Sequence, residues 1–322
     1  MNSLPTHANA AFAALLVSLL VSSCQTVPIV LRPGKKLAQG QFEWEPRRST
    51  SGPVLIVVSL EDRIAYVYRN GTQIGRSSVS MEGPATTGVF TLPPRREAAR
   101  DESTSWMGTA LLTGNLPAGQ EKTANLRLPE AFSKTLFQAT SLGATVVITR
   151  QNAPPTQSDK PTSVLFASDV QVRPEDVAGE GEFWDPAASE EGPMALLLSV
   201  ADRTLYVYRS GMLIGKSKVT ILPGQDSGAQ SAVFVMLEGE LPEESELLPG
   251  VKQRPWAVLN LDGGEQLPDP VAELRKRLRA PKPFARKVYP LLKPGALLIV
   301  TRQSVASPGR SGADFAVFGP GK

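Results

Sequence analysis

Residues Gly52 to Val79 align with Gly192 to Val219 without a gap at an offset of 140, and 14 of those 28 positions are identical. Whatever one stretch folds into, the other must fold into as well. The shared set includes Gly52-Pro53, Asp62-Arg63, Tyr66-Val67-Tyr68-Arg69, Gly71 and Ile74-Gly75, which return as Gly192-Pro193, Asp202-Arg203, Tyr206-Val207-Tyr208-Arg209, Gly211 and Ile214-Gly215. Further on, Gly143-Ala144 and Thr149-Arg150-Gln151 return as Gly295-Ala296 and Thr301-Arg302-Gln303 at an offset of 152, so the second copy holds 12 more residues. Trp44 pairs with Trp184 and Trp106 with Trp256. At 322 residues the chain suits two units of roughly 130 to 150 residues, each able to bury a core.

Each copy reads as short strands punctuated by turns. The apolar run Val54 to Ser59 predicts a buried strand, the Asp62-Arg63 turn leads to a second strand over Ile64 to Tyr68, and Asn70-Gly71 feeds a third over Gln73 to Ser80. Helical spacing of Phe132, Leu136 and Ala139 predicts a helix from about Pro129 to Leu142, followed by a strand over Ala144 to Thr149. A last strand, Val164 to Ala167, is expected to match Phe315 to Phe318. The segments Gln25 to Gln41 and Asn152 to Thr162 are polar and contain proline, as linkers do. The two-residue period places both tyrosines of each Tyr-Val-Tyr-Arg segment on one strand face, where core or rim packing is expected before carbohydrate stacking.

Charge is nearly balanced, with 34 Lys plus Arg against 31 Asp plus Glu, and no arginine-rich stripe with interleaved aromatics points to nucleic acid. The run Arg275 to Arg279 reads as a solvated helix face. Cys24 and His7 are the only cysteine and histidine, and both precede the repeat. Intrachain disulfides and Cys/His zinc sites are therefore excluded, and no metal or cofactor is expected. Acid pairs such as Glu61-Asp62 and Glu190-Glu191 fall at turns and linkers, without the paired-carboxylate pattern of glycosidases.

The N-terminus has the marks of an export signal. Ala10 to Val21 form an apolar run of 12, suited to a signal-peptide core and short for a membrane span. The run ends in Leu20-Val21-Ser22-Ser23-Cys24, which resembles a bacterial lipobox, although the preceding region has no Lys or Arg. That resemblance implies diacylation of Cys24, membrane anchoring by two acyl chains, and, with Gln25 rather than Asp after it, a periplasm-facing place at an outer membrane.

Ile64-Ala65-Tyr66-Val67-Tyr68-Arg69-Asn70-Gly71, the Gly83 to Gly88 loop and Val89-Phe90-Thr91-Leu92 resemble the opening of the L,D-transpeptidase catalytic domain of the YkuD type. The segment from Trp106 to Pro117 is similar to the family's stretch around its first histidine, and Leu126-Arg127-Leu128-Pro129 with Gly143 to Ile148 to the stretch after its nucleophile. The likeness spans most of 52–150, with a weaker echo over 192–302. It implies a mainly β fold, two tandem β-sandwich or barrel domains each with a short helix. The expected organisation is signal peptide 1–23, linker 24–41, first domain 42–170 and second domain 171–322.

In that family a Ser-His-Gly-Cys-(Ile/Val)-Arg motif and an upstream His-x-Gly carry the chemistry: a thiolate attacks a stem-peptide carbonyl and a histidine takes the proton. Matched position by position, the nucleophile becomes Asn125, the histidine Thr123, the serine Lys122, the glycine Ala124, and the upstream histidine Leu112, while Gly114 and Arg127 remain. In the second copy the nucleophile position is Arg277, followed by Leu278-Arg279. An amide nitrogen is delocalised and not nucleophilic, and neither Thr nor Leu can act as a base near neutral pH. With no cysteine or histidine beyond Cys24, no Cys-His pair can form elsewhere.

Three classes of function follow. The first is a lipid-anchored pseudoenzyme that binds peptidoglycan or a cell-wall enzyme as scaffold or regulator, with Arg127, Gly114, Asn115 and Lys122 as its possible contacts. The second is an enzyme with non-cysteine chemistry on peptidoglycan peptides, for which Lys122 and Glu121 are the nearby candidates. The third is a purely structural interaction lipoprotein. An open polar cleft around Asn125, Thr123 and Arg127 would favour retained binding, and a filled one scaffolding.

Overall fold

Val54 to Val58 is apolar at every position rather than alternating, which a strand tolerates only when both its faces are covered. In the computed structural model all six residues of Val54–Ser59 are buried, as are those of its counterpart Met194–Ser199. Described residues are 36–94, 106–113, 125–150, 157–158, 181–224, 231–245, 248–259, 261, 277–305 and 315–319.

The first copy contributes β1 (Phe42–Trp44), β2 (Val54–Ser59), β3 (Ile64–Arg69), β4 (Thr72–Ser78), β5 (Ser80–Met81), β6 (Gly88–Leu92), β7 (Met107–Thr113), β8 (Leu126–Arg127), helix α1 (Glu130–Ala139) and β9 (Ala144–Thr149). Next comes β10 (Gln157–Ser158). The second copy repeats the order with β11 (Phe183–Trp184), β12 (Met194–Ser199), β13 (Thr204–Arg209), β14 (Met212–Lys218), β15 (Thr220–Ile221), β16 (Ser231–Met236), β17 (Trp256–Leu259), β18 (Leu278–Arg279), helix α2 (Lys282–Val288) and β19 (Leu297–Thr301). The chain then reaches β20 (Phe315–Ala316).

These strands build two mixed eight-stranded sheets, β1-β4-β3-β2-β9-β6-β7-β20 and β10-β17-β16-β19-β12-β13-β14-β11. One parallel pair lies at the heart of each: β2 with β9, and β12 with β19. The helix before β9 or β19 makes the crossover such a pair requires. Local chemistry sets the hairpins, since Asn70 and Gly71 take φ of 49° and 80°, and Ser210 and Gly211 take 50° and 80°, the twin left-handed residues of a tight two-residue turn. Neither sheet closes into a barrel among the described residues, and within each copy the second sheet is a mere pair, β5-β8 or β15-β18.

The helices pack by aromatic contacts that repeat between copies. Trp44 meets Phe132 edge-on at 5.6 Å, and Trp184 meets Phe284 at the same distance. Each tryptophan ring crowds its cross-strand glycine: a Cβ on Gly75 or Gly215 would come 2.5 Å from a ring carbon. Phe132 and Leu136 of α1 are buried as expected, with Ser133 beside them. There the copies differ. Trp106 Nε1 donates to Ser133 Oγ at 3.2 Å, whereas at the matching position Ala285 leaves Trp256 Nε1 buried without an acceptor.

The opposite faces of the two large sheets meet in one shared core. Leu55, Val57, Tyr68, Val89, Leu112 and Val147 of the first copy interlock with Ala195, Leu197, Val233, Val235, Leu297 and Ile299 of the second. The contact repeats itself across the two halves: Gly143 lies against Pro193, and the equivalent Gly295 against Pro53. That reciprocity is the mark of a two-fold interface. Asn70 Nδ2 and Thr72 Oγ1 donate to the Glu238 carboxylate across it, the latter at 3.0 Å, and Arg150 N–H donates to Leu261 O at 3.0 Å.

Each sheet is also finished by a strand from the other side of the chain. Phe315–Ala316 pairs with β7 of the first copy, and Gln157–Ser158 with β17 of the second. The segment expected to be a linker thus supplies a strand, Gln157–Ser158, in the place that Phe315–Ala316 takes in the other sheet, and Val164–Ala167, expected to match Phe315–Phe318, lies outside the described residues. The boundary expected at 170/171 separates each sheet from its last strand.

Two outcomes are expected. Deleting residues 313–322 should raise amide hydrogen exchange in Met107–Thr113 while leaving Trp256–Leu259 protected; the reverse pattern would mean that each copy closes its own sheet. Ala285→Ser should supply the acceptor that Trp256 lacks and raise thermal stability by about 1 kcal/mol, the usual net value of one hydrogen bond.

Candidate functional site

β8 carries Arg127, the expected contact residue, and hangs between two partners. On one side it pairs with β5, Ser80 opposite Arg127 and Met81 opposite Leu126. On the other, the chain's C-terminal segment reaches it, Gly319 N–H donating to Leu126 O at 2.8 Å. Phe318 stacks edge-on against Trp106 at 5.6 Å and is buried with Val317.

Asn125, at the expected nucleophile position, is occupied as a strut. Its Nδ2 donates to Pro84 O at 2.6 Å, and its own carbonyl accepts the Glu82 N–H at 2.8 Å. The second copy does the same with a different side chain. Arg277 Nη1 donates to Gly224 O at 3.1 Å, and Arg277 O accepts Leu222 N–H at 2.9 Å. Residues 84 and 224 are equivalent at the repeat offset, as are 82 and 222. One position in both copies therefore pins the same loop through the same two bonds.

Arg127 is engaged too. Its Nε donates to Glu82 Oε2 at 2.7 Å, and the pair is partly exposed, with side chains 22% and 39% accessible. At that exposure the pair contributes roughly 0 to 1 kcal/mol, so it orients Arg127 more than it stabilises the fold. Leu112, at the upstream histidine position, is buried in the shared core rather than beside Asn125. Thr123, Lys122, Glu121, Gly114 and Asn115 lie outside the described residues, as does Cys24. Of the proposed set, Arg127 lies on β8 and Asn125 directly precedes it; Leu112 does not join them.

The tyrosines resolve in the same direction. Tyr66 and Tyr68 share a face as the two-residue period requires, and both pack on the shared core. Tyr68 is fully enclosed, and burial pushes its phenol well above the usual range, so it offers neither a stacking surface nor an ionisable group. Tyr66 is raised by burial first and by the Asp62 charge second. The Arg275–Arg279 run is not a continuous helix face: Leu278–Arg279 is strand β18, and Arg277 turns into the loop it holds. Among the described residues no group of three or more His, Cys, Asp or Glu is placed to hold a metal.

Sequence reasoning missed Glu82 and Pro84. Glu82 precedes the Gly83–Gly88 loop with no motif around it, and Pro84 acts through its backbone oxygen, which no side-chain pattern reveals. The chain matches no protein-family model, no curated protein and no solved structure.

Removing the strut should loosen the loop without unfolding the sheets. Asn125→Ala is expected to cost about 1 kcal/mol in chemical denaturation, with exchange rising at Glu82; a variant as stable as wild type and equally protected there would mean that the amide does not hold the loop.

Proposed function

We propose that the chain is an exported, lipid-anchored scaffold of the bacterial cell envelope, an L,D-transpeptidase-like protein that no longer performs the transfer and that acts on peptidoglycan or a cell-wall enzyme by binding. What carries this reading is the use made of the nucleophile position. Asn125 and Arg277 spend their side chains on loop carbonyls, and Arg127 faces Glu82, so these side chains are engaged by the chain itself. Side chains already engaged within the fold favour scaffolding through surfaces elsewhere over recognition by Asn125 and Arg127.

Chemistry points the same way. Acyl transfer through a covalent intermediate needs a nucleophile that ionises and a base that receives its proton, and beyond Cys24 this chain has neither Cys nor His. Anchoring rests on the lipobox-like Leu20 to Cys24, where two acyl chains would bury enough methylenes for stable attachment.

Radiolabelled palmitate should enter the wild-type protein in a bacterial host and not Cys24→Ala. Purified protein, and equally Asn125→Cys, should leave a tetrapeptide muropeptide donor unchanged, because a restored thiol still lacks its histidine. Release of the terminal D-alanine by either protein would contradict the proposal.

A further inference from the structure

Each large sheet ends on an arm of chain from the other copy, and the two arms are not alike. Counted from the paired tryptophans, Val317 stands at Trp106, to whose carbonyl its N–H donates at 2.9 Å, and Ser158 stands opposite Trp256. On that register Asp159 and Lys160 take, in sequence, the places of Phe318 and Gly319. The C-terminal arm thus carries an aromatic residue where the other arm has an acid.

The C-terminal arm is held as a bound peptide is held. Phe315 and Ala316 pair with Gly108 and Met107 of β7, and Gly319 N–H donates to Leu126 O at 2.8 Å. Between these bonds Val317 and Phe318 enter the core beside Phe132 and Leu136, with Phe318 edge-on to Trp106 at 5.6 Å. Backbone pairing to a sheet edge, with a side chain as anchor, is how strand-adding peptides are recognised. Closing a sheet does not require that anchor. The second sheet ends on Gln157–Ser158, and Leu278 O, the equivalent of Leu126 O, accepts Arg279 Nη1 at 2.7 Å.

The root of the arm stays with the second copy. Ser199 Oγ donates to Gln303 O at 2.8 Å, and Val305 N–H donates to Asp202 Oδ2 at 2.8 Å. Nine residues separate Val305 from Phe315, a length of chain that extends to about 33 Å at most. Root and tip are therefore fixed on different copies, and the groove of the first copy already draws its occupant from outside itself. The same contacts serve equally when the tip comes from a neighbouring molecule, which makes strand exchange a low-cost route to assembly.

We infer that the groove formed by β7, Trp106 and Leu126 is a strand-acceptor site that takes residues 315–319 of a second molecule of this protein, linking chains when they are crowded. Reciprocal donation closes a dimer, and one-way donation makes a row. The inference goes beyond the envelope reading, since neither Cys24 nor Asn125 enters its test. The chain from Gln25 to Gly312, without the arm, is titrated with a fluorescent peptide of residues 313–322 and followed by anisotropy. It should bind one peptide per chain, and the peptide carrying Phe318→Ser should bind at least about a hundredfold more weakly, the effect of losing a large buried aromatic side chain. The intact chain should take the same peptide far less well, because its own arm competes at an effective concentration of order millimolar. If the shortened chain loses its sheets, seen as lost amide protection of Val54–Ser59, the intact chain decides. Two differently tagged populations, brought to equilibrium together, should then co-purify increasingly as their concentration nears the millimolar range, and excess peptide should suppress this. A folded shortened chain that ignores the peptide, equal binding of the Phe318→Ser peptide, or tagged chains that do not co-purify would overturn the inference.

Discussion

The apolar contact between the two large sheets is the constraint on which the rest of the molecule depends. β2 and β12 are buried on both faces: one face packs on its own helix, the other on the opposite copy. Separated, each half would expose a sheet face bearing residues such as Leu55, Val57 and Val147, or Leu197, Val235 and Ile299. Truncating a large buried aliphatic side chain costs about 2 to 5 kcal/mol, comparable with the net stability of a typical domain. The repeat is thus one folding unit made of two halves, and the exchanged strands Gln157–Ser158 and Phe315–Ala316 tie each half to the other through backbone hydrogen bonds as well.

Much of each copy could be read from the residues. Val54–Ser59 and Ala144–Thr149 fall where their β-branched runs place them, and Asn70-Gly71 makes the turn that its left-handed preference implies. The joining of the copies could not be read in this way. A continuous apolar run says that two faces are covered, yet Leu55 and Ile56 look alike, so nothing distinguishes the residue facing α1 from the one facing the other copy. The exchanged strands are two residues long, too short for any period to register.

The candidate site shows the same limit. Arg127 stood out in the sequence, but its partner Glu82 lies 45 positions away and is reached diagonally across the β5-β8 pair, where Ser80 is the residue opposite Arg127. In the fold Asn125 acts as a strut, and Arg277 reaches the equivalent carbonyl by a longer route. Two different side chains converging on one loop contact suggest a position maintained for the loop's shape. The surface then diverges, with Glu130 and Lys134 of α1 replaced by Lys282 and Arg286 of α2.

Hydrogen exchange followed through a urea titration tests the unity of the two halves most directly. If the shared core makes them one cooperative unit, the amides of Val54–Ser59 and of Met194–Ser199 lose protection in the same transition, with the same midpoint and slope. Two separate transitions, one half keeping its protected strands after the other has lost them, would contradict the account.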